Sequence, residues 1–147
     1  MLTCLDNWCR LWQTNYNVDK TKIMHFHSAH AKRSNNVFSL GKYPLETVTE
    51  YKYLGLFFDE KLDFLHATSV LSCSAGRALS AVISKQRKGT FSYDVFNKLY
   101  KAMVEPILCY FAGIWGHDEF SEIEKISERS IRYFLGLPRN ASISVMY

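Results

Sequence analysis

Apolar side chains recur at Leu5, Trp8, Cys9, Trp12 and Tyr16, a spacing that predicts an amphipathic helix over residues 3–16 with a heavy aromatic face. Such a face needs a cover. Asn17 and Asp19 are turn formers. Thr21 to His27 then alternates, with Met24 and Phe26 on one side and Ile23, His25 and His27 on the other, so a strand is expected. Ser28 to Asn36 is polar and basic and reads as a loop. Val37 to Leu40 and Tyr43 to Val48 flank Gly41-Lys42 as the arms of a hairpin. Tyr51 to Phe58 is rich in aromatics and apolar on both faces, which predicts a third, central strand.

From Leu62 the period becomes helical. Leu71, Ala75, Ala78, Leu79 and Val82 form one stripe, and Arg77, Ser80, Ser84, Arg87 and Lys88 share the opposite one. Gly89 suits a helix stop. Ser92 is placed to cap a following helix with Phe96, Leu99, Tyr100 and Met103 inward and Asp94, Lys98 and Lys101 outward, until Pro106 ends or kinks it. Ile107 to Trp115 is apolar all round and is expected to be interior. Ser121 with Glu124 fits a capping box for a last helix lined by Ile123, Ile126, Ile131 and Phe134, and Gly136 with Pro138 marks its end. A run of strands followed by a run of helices predicts an α+β fold: an N-terminal helix, a small antiparallel sheet of about three or four strands, then a C-terminal helical bundle.

With 147 residues, 48% of them hydrophobic and 15% aromatic, the chain is large enough for a sizeable core. Its net charge of +4 is unevenly placed. Residues 1–36 carry five Lys/Arg against two acids and residues 72–105 six against two, whereas residues 37–71 carry three against five. Two basic regions separated by an acidic one suit a polyanionic partner better than the total charge suggests. Cys4, Cys9, Cys73 and Cys109 lie far apart with no C-x2-C pair, which points to a reducing, intracellular setting in nucleus or cytoplasm, with the thiols mostly on core faces. Asp6, Asn7 and Arg10 interrupt the N-terminus where a secretory leader would be apolar. The longest apolar stretch, Pro106 to Trp115, is too short to span a bilayer. The expectation is a protein neither secreted nor transmembrane, for which the sequon Asn140-Ala141-Ser142 has no use.

Few residues suggest chemistry. There is no aromatic-x-Asp-Asp box, and the acidic pairs Asp59-Glu60 and Asp118-Glu119 sit where turns and helix starts ordinarily place carboxylates. His25, His27 and His30 cluster, but zinc needs a closed shell and no cysteine lies nearby, so no metal site is expected. There is no nucleophile arrangement, no phosphate loop and no small-molecule substrate site. Lys20, Lys22, Lys32 and Arg33 read either as a solvated basic edge or as contacts to phosphates. Arg77, Arg87 and Lys88, with Lys98 and Lys101 on the next helix, fit either a solubilising surface or a sequence-independent grip on a nucleic-acid backbone.

Several motifs, taken in order, sharpen this picture: Asn17-Val18-Asp19-Lys20-Thr21-Lys22, Tyr51-Lys52-Tyr53-Leu54-Gly55, Lys98-Leu99-Tyr100-Lys101-Ala102 before Pro106-Ile107-Leu108, Ile114-Trp115-Gly116, and Arg132 to Arg139. Over residues 5–142 the chain resembles the C-terminal part of a LINE-type, non-LTR retrotransposon reverse transcriptase, beyond its catalytic aspartates. The resemblance implies a palm-edge and primer-grip region at 1–60 and thumb and connection helices at 61–147. Lys20 matches the lysine that the family sets near the nucleotide phosphates, and Tyr53, Leu54 and Gly55 match its primer grip. Together with Lys22, Arg77, Arg87, Lys88, Lys98 and Lys101 these are the candidate nucleic-acid contacts.

The resemblance implies a polymerase fragment without metal-binding carboxylates, inactive by itself, with no cofactor of its own; Mg2+ belongs to an intact enzyme. Its partners would be RNA or an RNA/DNA duplex and the missing palm and fingers. Met1 falls in mid-palm, so a truncated element copy or a mispredicted gene is expected, with Leu5, Trp8 and Trp12 left as an orphaned apolar surface. The alternatives are a domesticated, non-catalytic nucleic-acid-binding module and a protein-interaction module docking through the aromatic helix.

Overall fold

A computed structural model describes residues 1–28, 31, 36–88 and 92–138. The architecture is α+β, an N-terminal helix, then short strands, then helices. The chain divides into two compact units, Met1–Asp63 and Phe64–Tyr147.

In the first unit, helix α1 (Leu2–Leu11) is shorter than its apolar pattern. Thr14 N–H bonds to Cys9 O at 3.0 Å and Gln13 N–H to Arg10 O at 3.3 Å, with Gln13 at φ 50°. This is a Schellman closure, and it takes Tyr16 out of the helix. The freed Tyr16 hydroxyl donates to Leu40 O at 3.0 Å and reaches Asp6 Oδ1 at 3.4 Å. Gly41 permits that approach: it turns the chain at φ 61°, and a Cβ there would lie 2.8 Å from the Tyr16 hydroxyl. Among the described residues of this unit, Cys9, Leu40, Leu45 and Leu56 are the buried apolar ones.

Among the described residues, six short strands make three two-stranded sheets instead of one larger sheet. Strand β1 (Lys22–Met24) pairs in parallel with β4 (Glu46–Val48), while β2 (Ser39–Leu40) and β3 (Tyr43–Pro44) form the small hairpin expected around Gly41. Residues 51–58 are not one central strand. They fold back as an antiparallel hairpin of β5 (Glu50–Tyr53) and β6 (Leu56–Asp59), with Tyr51 opposite Phe58 and Tyr53 opposite Leu56. The turn is Leu54-Gly55, at φ 48° and 91°. Positive φ at both central residues is what a two-residue type I′ turn requires. The apolar run continues through the turn only because an exposed leucine occupies its first position.

In the second unit, α2 (Leu65–Lys88) buries Leu71, Ala75, Leu79 and Val82 of the stripe expected from the sequence and leaves Ala78 half-buried. Its many hydroxyls bond back to the helix: Thr68 to Phe64 O at 2.9 Å, Ser74 to Val70 O at 3.0 Å and Ser80 to Gly76 O at 2.7 Å, so they leave no unmet demand on the buried face. Then follow α3 (Tyr93–Met103), α4 (Glu105–Leu108), α5 (Ala112–Trp115) and α6 (Ser121–Phe134). Gly76 meets Ile126, Ser80 meets Arg129, and Phe96 packs at a tilt against Tyr133 and stacks on Phe134 while Tyr100 lies 3.4 Å from Ser127. These pairs run α6 parallel to α2 and antiparallel to α3. Phe96, Val104 and Leu108 complete the core around Ala75, Leu79, Val82 and Ile83.

Four expectations fail here. The apolar stretch Ile107 to Trp115 is not an interior helix: Phe111 at φ 55° breaks it, and Cys109, Tyr110, Phe111 and Ile114 are exposed. Leu108 and Trp115 are buried, the latter held by its indole N–H on Tyr110 O at 2.7 Å. Met103 is 45% exposed because α3 ends there, ahead of Pro106 in the first turn of α4. Ser121 begins α6 instead of capping it, Phe120 taking the N-cap without a side-chain bond; Ser92 does occupy the N-cap of α3, also without one. Of the four free cysteines Cys9 alone is buried; Cys4, Cys73 and Cys109 face outward. Gly136 ends α6 as anticipated, in a Schellman motif with Leu137 N–H on Arg132 O at 2.9 Å and Gly136 N–H on Tyr133 O at 3.2 Å. Gly89 lies outside the described residues.

Candidate functional site

In the first unit, Asn17 caps the 3-10 turn Val18–Lys20 by accepting from Lys20 N–H at 3.1 Å, and the Thr21 hydroxyl donates to Asn17 O at 2.7 Å. These two bonds explain the Asn-x-x-Lys-Thr pattern locally: they fix the Lys20 backbone and leave its side chain exposed. The Tyr51 hydroxyl donates to Lys20 O at 2.9 Å, tying the turn to β5. Lys22 is placed differently. Its ammonium is ion-paired with Glu46, its register partner on β4.

Tyr53, Leu54 and Gly55 form the end of the β5–β6 hairpin, with Tyr53 59% and Leu54 63% exposed. A leucine in the left-handed region costs about 1–2 kcal/mol. Behind the turn, Tyr53 shares with Met24, Phe26, Val48, Tyr51 and Phe58 an apolar hollow of 240 Å3, with Lys22 at its edge. Lys52 lies 5.1 Å from the ring centroid of Phe57 across the hairpin.

His25 and His27 sit with ring centroids 6.2 Å apart, and His27 Nε2 is 3.7 Å from Glu60 Oε2. Among the described residues no three His, Cys, Asp or Glu side chains come together as a metal shell would need. His30, Lys32 and Arg33 lie outside the described residues. Asp59 accepts from the backbone N–H groups of Lys61 at 3.2 Å and Asp63 at 3.0 Å, so its carboxylate organises a turn. Asp118 lies 3.3 Å from His117 ahead of α6.

In the second unit the basic residues separate. Arg77 is exposed and donates to Ser74 Oγ at 3.0 Å one turn back. Lys98 and Lys101 are exposed on α3. Lys88 is the last residue of α2, and its side chain lies outside the described residues. Of those whose side chains are described, Arg87 alone lines a cleft of 770 Å3 between α2 and α6, together with Lys125, Glu128, Arg129 and Arg132. The three α6 cations were missed in the sequence, although their spacing at i, i+4 and i+7 marks one helical face. Their charge was hidden by neighbouring acids, Glu122 and Glu124 just before Lys125 and Glu128 between it and Arg129. Among the described residues, no helix is long and apolar enough to cross a membrane.

The fold is thus an α+β arrangement with an outward aromatic turn in one unit and a cation-lined cleft in the other. The chain is 27% identical over 143 residues, 93% of its own length, to a probable RNA-directed DNA polymerase from transposon BS of Drosophila melanogaster. It spans 16% of that protein's length. No family model and no solved structure gives a significant match.

Proposed function

We propose that this chain is the primer-grip and thumb portion of a non-LTR retrotransposon reverse transcriptase, a part that holds nucleic acid and leaves the chemistry to carboxylates elsewhere. In this reading residues 1–60 are palm edge and primer grip, and residues 61–147 are thumb and connection helices. Lys20 faces nucleotide phosphates, Tyr53, Leu54 and Gly55 touch the primer end, and Arg77, Arg87, Lys88, Lys98 and Lys101 track the backbone of an RNA/DNA duplex. Mg2+ would be held by other parts of the polymerase.

The observation that carries it is the Leu54-Gly55 turn. The hairpin would close better on Asn-Gly, yet the chain sets a leucine at positive φ and turns it outward beside an exposed tyrosine. An exposed, strained apolar tip is the shape of a contact made to something else. The similarity to a polymerase along nearly the whole chain favours nucleic acid as that something.

The test is binding of a hybrid with a recessed DNA primer end against a blunt hybrid of equal length, by fluorescence anisotropy at low salt. The intact chain should prefer the recessed end, and Tyr53→Ser/Leu54→Asn should remove the preference. Equal affinity for both hybrids would count against a primer grip. A second reading, a protein-interaction module, has in its favour the outward face of α1, where Leu5, Trp8, Leu11 and Trp12 are all exposed. It predicts a partner that shields these indoles from solvent quenchers.

A further inference from the structure

We propose that the cleft between α2 and α6 is a phosphodiester-binding site, whose seat is made by Lys125, Arg129 and Arg132 of α6 facing Arg87 of α2. The choice of a phosphodiester over another polyanion rests on the polymerase reading; the site itself rests on the geometry of the two helices.

Lys125, Arg129 and Arg132 occupy one stripe of α6, and the chain rises about 6 Å per four residues along it. Because α6 runs parallel to α2, this stripe lies beside the α2 edge that carries Ser80, Ile83 and Arg87. The cleft between them has a volume of 770 Å3 and is also lined by Ile83, Tyr133 and Leu137. Four cations therefore look onto a concave surface with apolar walls, which concentrates their field. Glu128 is the one carboxylate lining it, and it lies 3.7 Å from Arg132.

Four cations against one carboxylate leave three positive charges in the cleft. None of these cations belongs to the apolar core, which Ala75, Leu79, Val82, Ile83, Phe96, Val104 and Leu108 supply. Like charges at i and i+4 on one helix, here Lys125 and Arg129, destabilise it slightly when nothing lies between them. An anion in the cleft turns this repulsion into attraction. Guanidinium groups suit phosphate oxygens because their planar forks donate two parallel hydrogen bonds. Arg77, Lys98 and Lys101 do not line the cleft, so the site is distinct from most of the basic surface read from the sequence.

The test uses the intact chain and a fluorescein-labelled RNA/DNA hybrid titrated at several KCl concentrations. Lys125→Gln/Arg129→Gln is compared with Lys61→Gln/Lys85→Gln, which removes the same charge from exposed positions outside the cleft. The cleft pair should weaken binding about tenfold or more at low salt and make the slope of log K against log salt shallower by about two, since each phosphate contact contributes roughly 0.9. The control pair should leave the slope near its original value. Arg87→Gln, on the other wall, should shift it by about one in a protein whose α6 is untouched.

Equal behaviour of cleft and control pairs would overturn the site while leaving the polymerase reading on its other contacts. No hybrid binding by the unaltered chain would overturn both. Poly-glutamate held as tightly as the hybrid would overturn the phosphodiester assignment.

Discussion

Arg129 of α6 donates to the Ser80 hydroxyl of α2 at 3.1 Å, and that hydroxyl donates in turn to the Gly76 carbonyl at 2.7 Å. One serine thus satisfies its own helix while steadying a cation at the edge of the α2–α6 cleft.

The link is exposed, so it positions more than it stabilises. Ser80→Ala should change unfolding free energy by no more than about 0.5 kcal/mol, as surface substitutions usually do. Urea midpoints of the two proteins check this. A loss above about 2 kcal/mol would place Arg129 in the structural framework of the unit.

The Leu54 turn stores strain that a better turn residue would release. Leu54→Asn should raise the stability of the first unit by roughly 0.5–1 kcal/mol, because asparagine accepts the left-handed region and Asn-Gly favours the type I′ turn. Thermal unfolding reads the gain. If the primer-grip assignment holds, the stabilised variant binds recessed hybrids less well, a trade that a purely structural turn would not show.

Tyr16 predicts an alkaline limb of instability. Burial, and then the negative charge of Asp6, raise its phenol above the ordinary value of 10.0. The folded state therefore favours the neutral phenol. That contribution is complete below pH 10 and is lost as pH rises through the higher folded value. Tyr16→Phe should lower stability at neutral pH and flatten this limb above pH 10, followed by denaturation at fixed pH steps.

Gly136 and Gly113 form an internal comparison. A Cβ at either would meet nothing within 4 Å, but Gly136 sits at φ 64°. Gly136→Ala should therefore cost about 1 kcal/mol through backbone conformation alone. Gly113→Ala, within α5, should be neutral or slightly stabilising. Equal losses at both sites would show that the Schellman motif does not hold the end of α6.

The outer face of α1 is an association hazard, with Trp12 63% and Leu11 77% exposed. Replacing Leu5, Trp8 and Trp12 by glutamine should raise solubility and shift light-scattering onset to higher concentration, with unfolding free energy changed by less than about 1 kcal/mol. A large loss of stability would mean that the indoles pack within the unit.

The helices of the second unit were legible because their information is periodic and local. Leu71, Ala75, Leu79 and Val82 repeat at helical spacing whatever surrounds them, and Gly136 before Pro138 carries its own stop signal. The candidate site was legible in part. Lys20 and the Tyr53-Leu54-Gly55 tip stand out as motifs, and the structure puts both at exposed ends of short elements. Lys22 reads as one more cation, but its partner Glu46 lies 24 positions away and is found only through the β1–β4 register. The α6 wall of the cleft was hidden because neighbouring acids mask a charged face when charge is summed along the chain.

By itself the sequence determined the class of fold, the buried stripe of α2, the turn at Gly41 and the end of α6, since each depends on residues within a few positions of one another. Tertiary structure alone decided where α1 closes, that residues 51–58 fold back as a hairpin, that Ile107 to Trp115 breaks open at Phe111, and which cations share a cleft. The closing of α1 and the cleft depend on contacts between distant residues, such as Tyr16 with Leu40 and Gly76 with Ile126, and the breaks at Leu54 and Phe111 depend on left-handed backbone at residues that ordinarily avoid it.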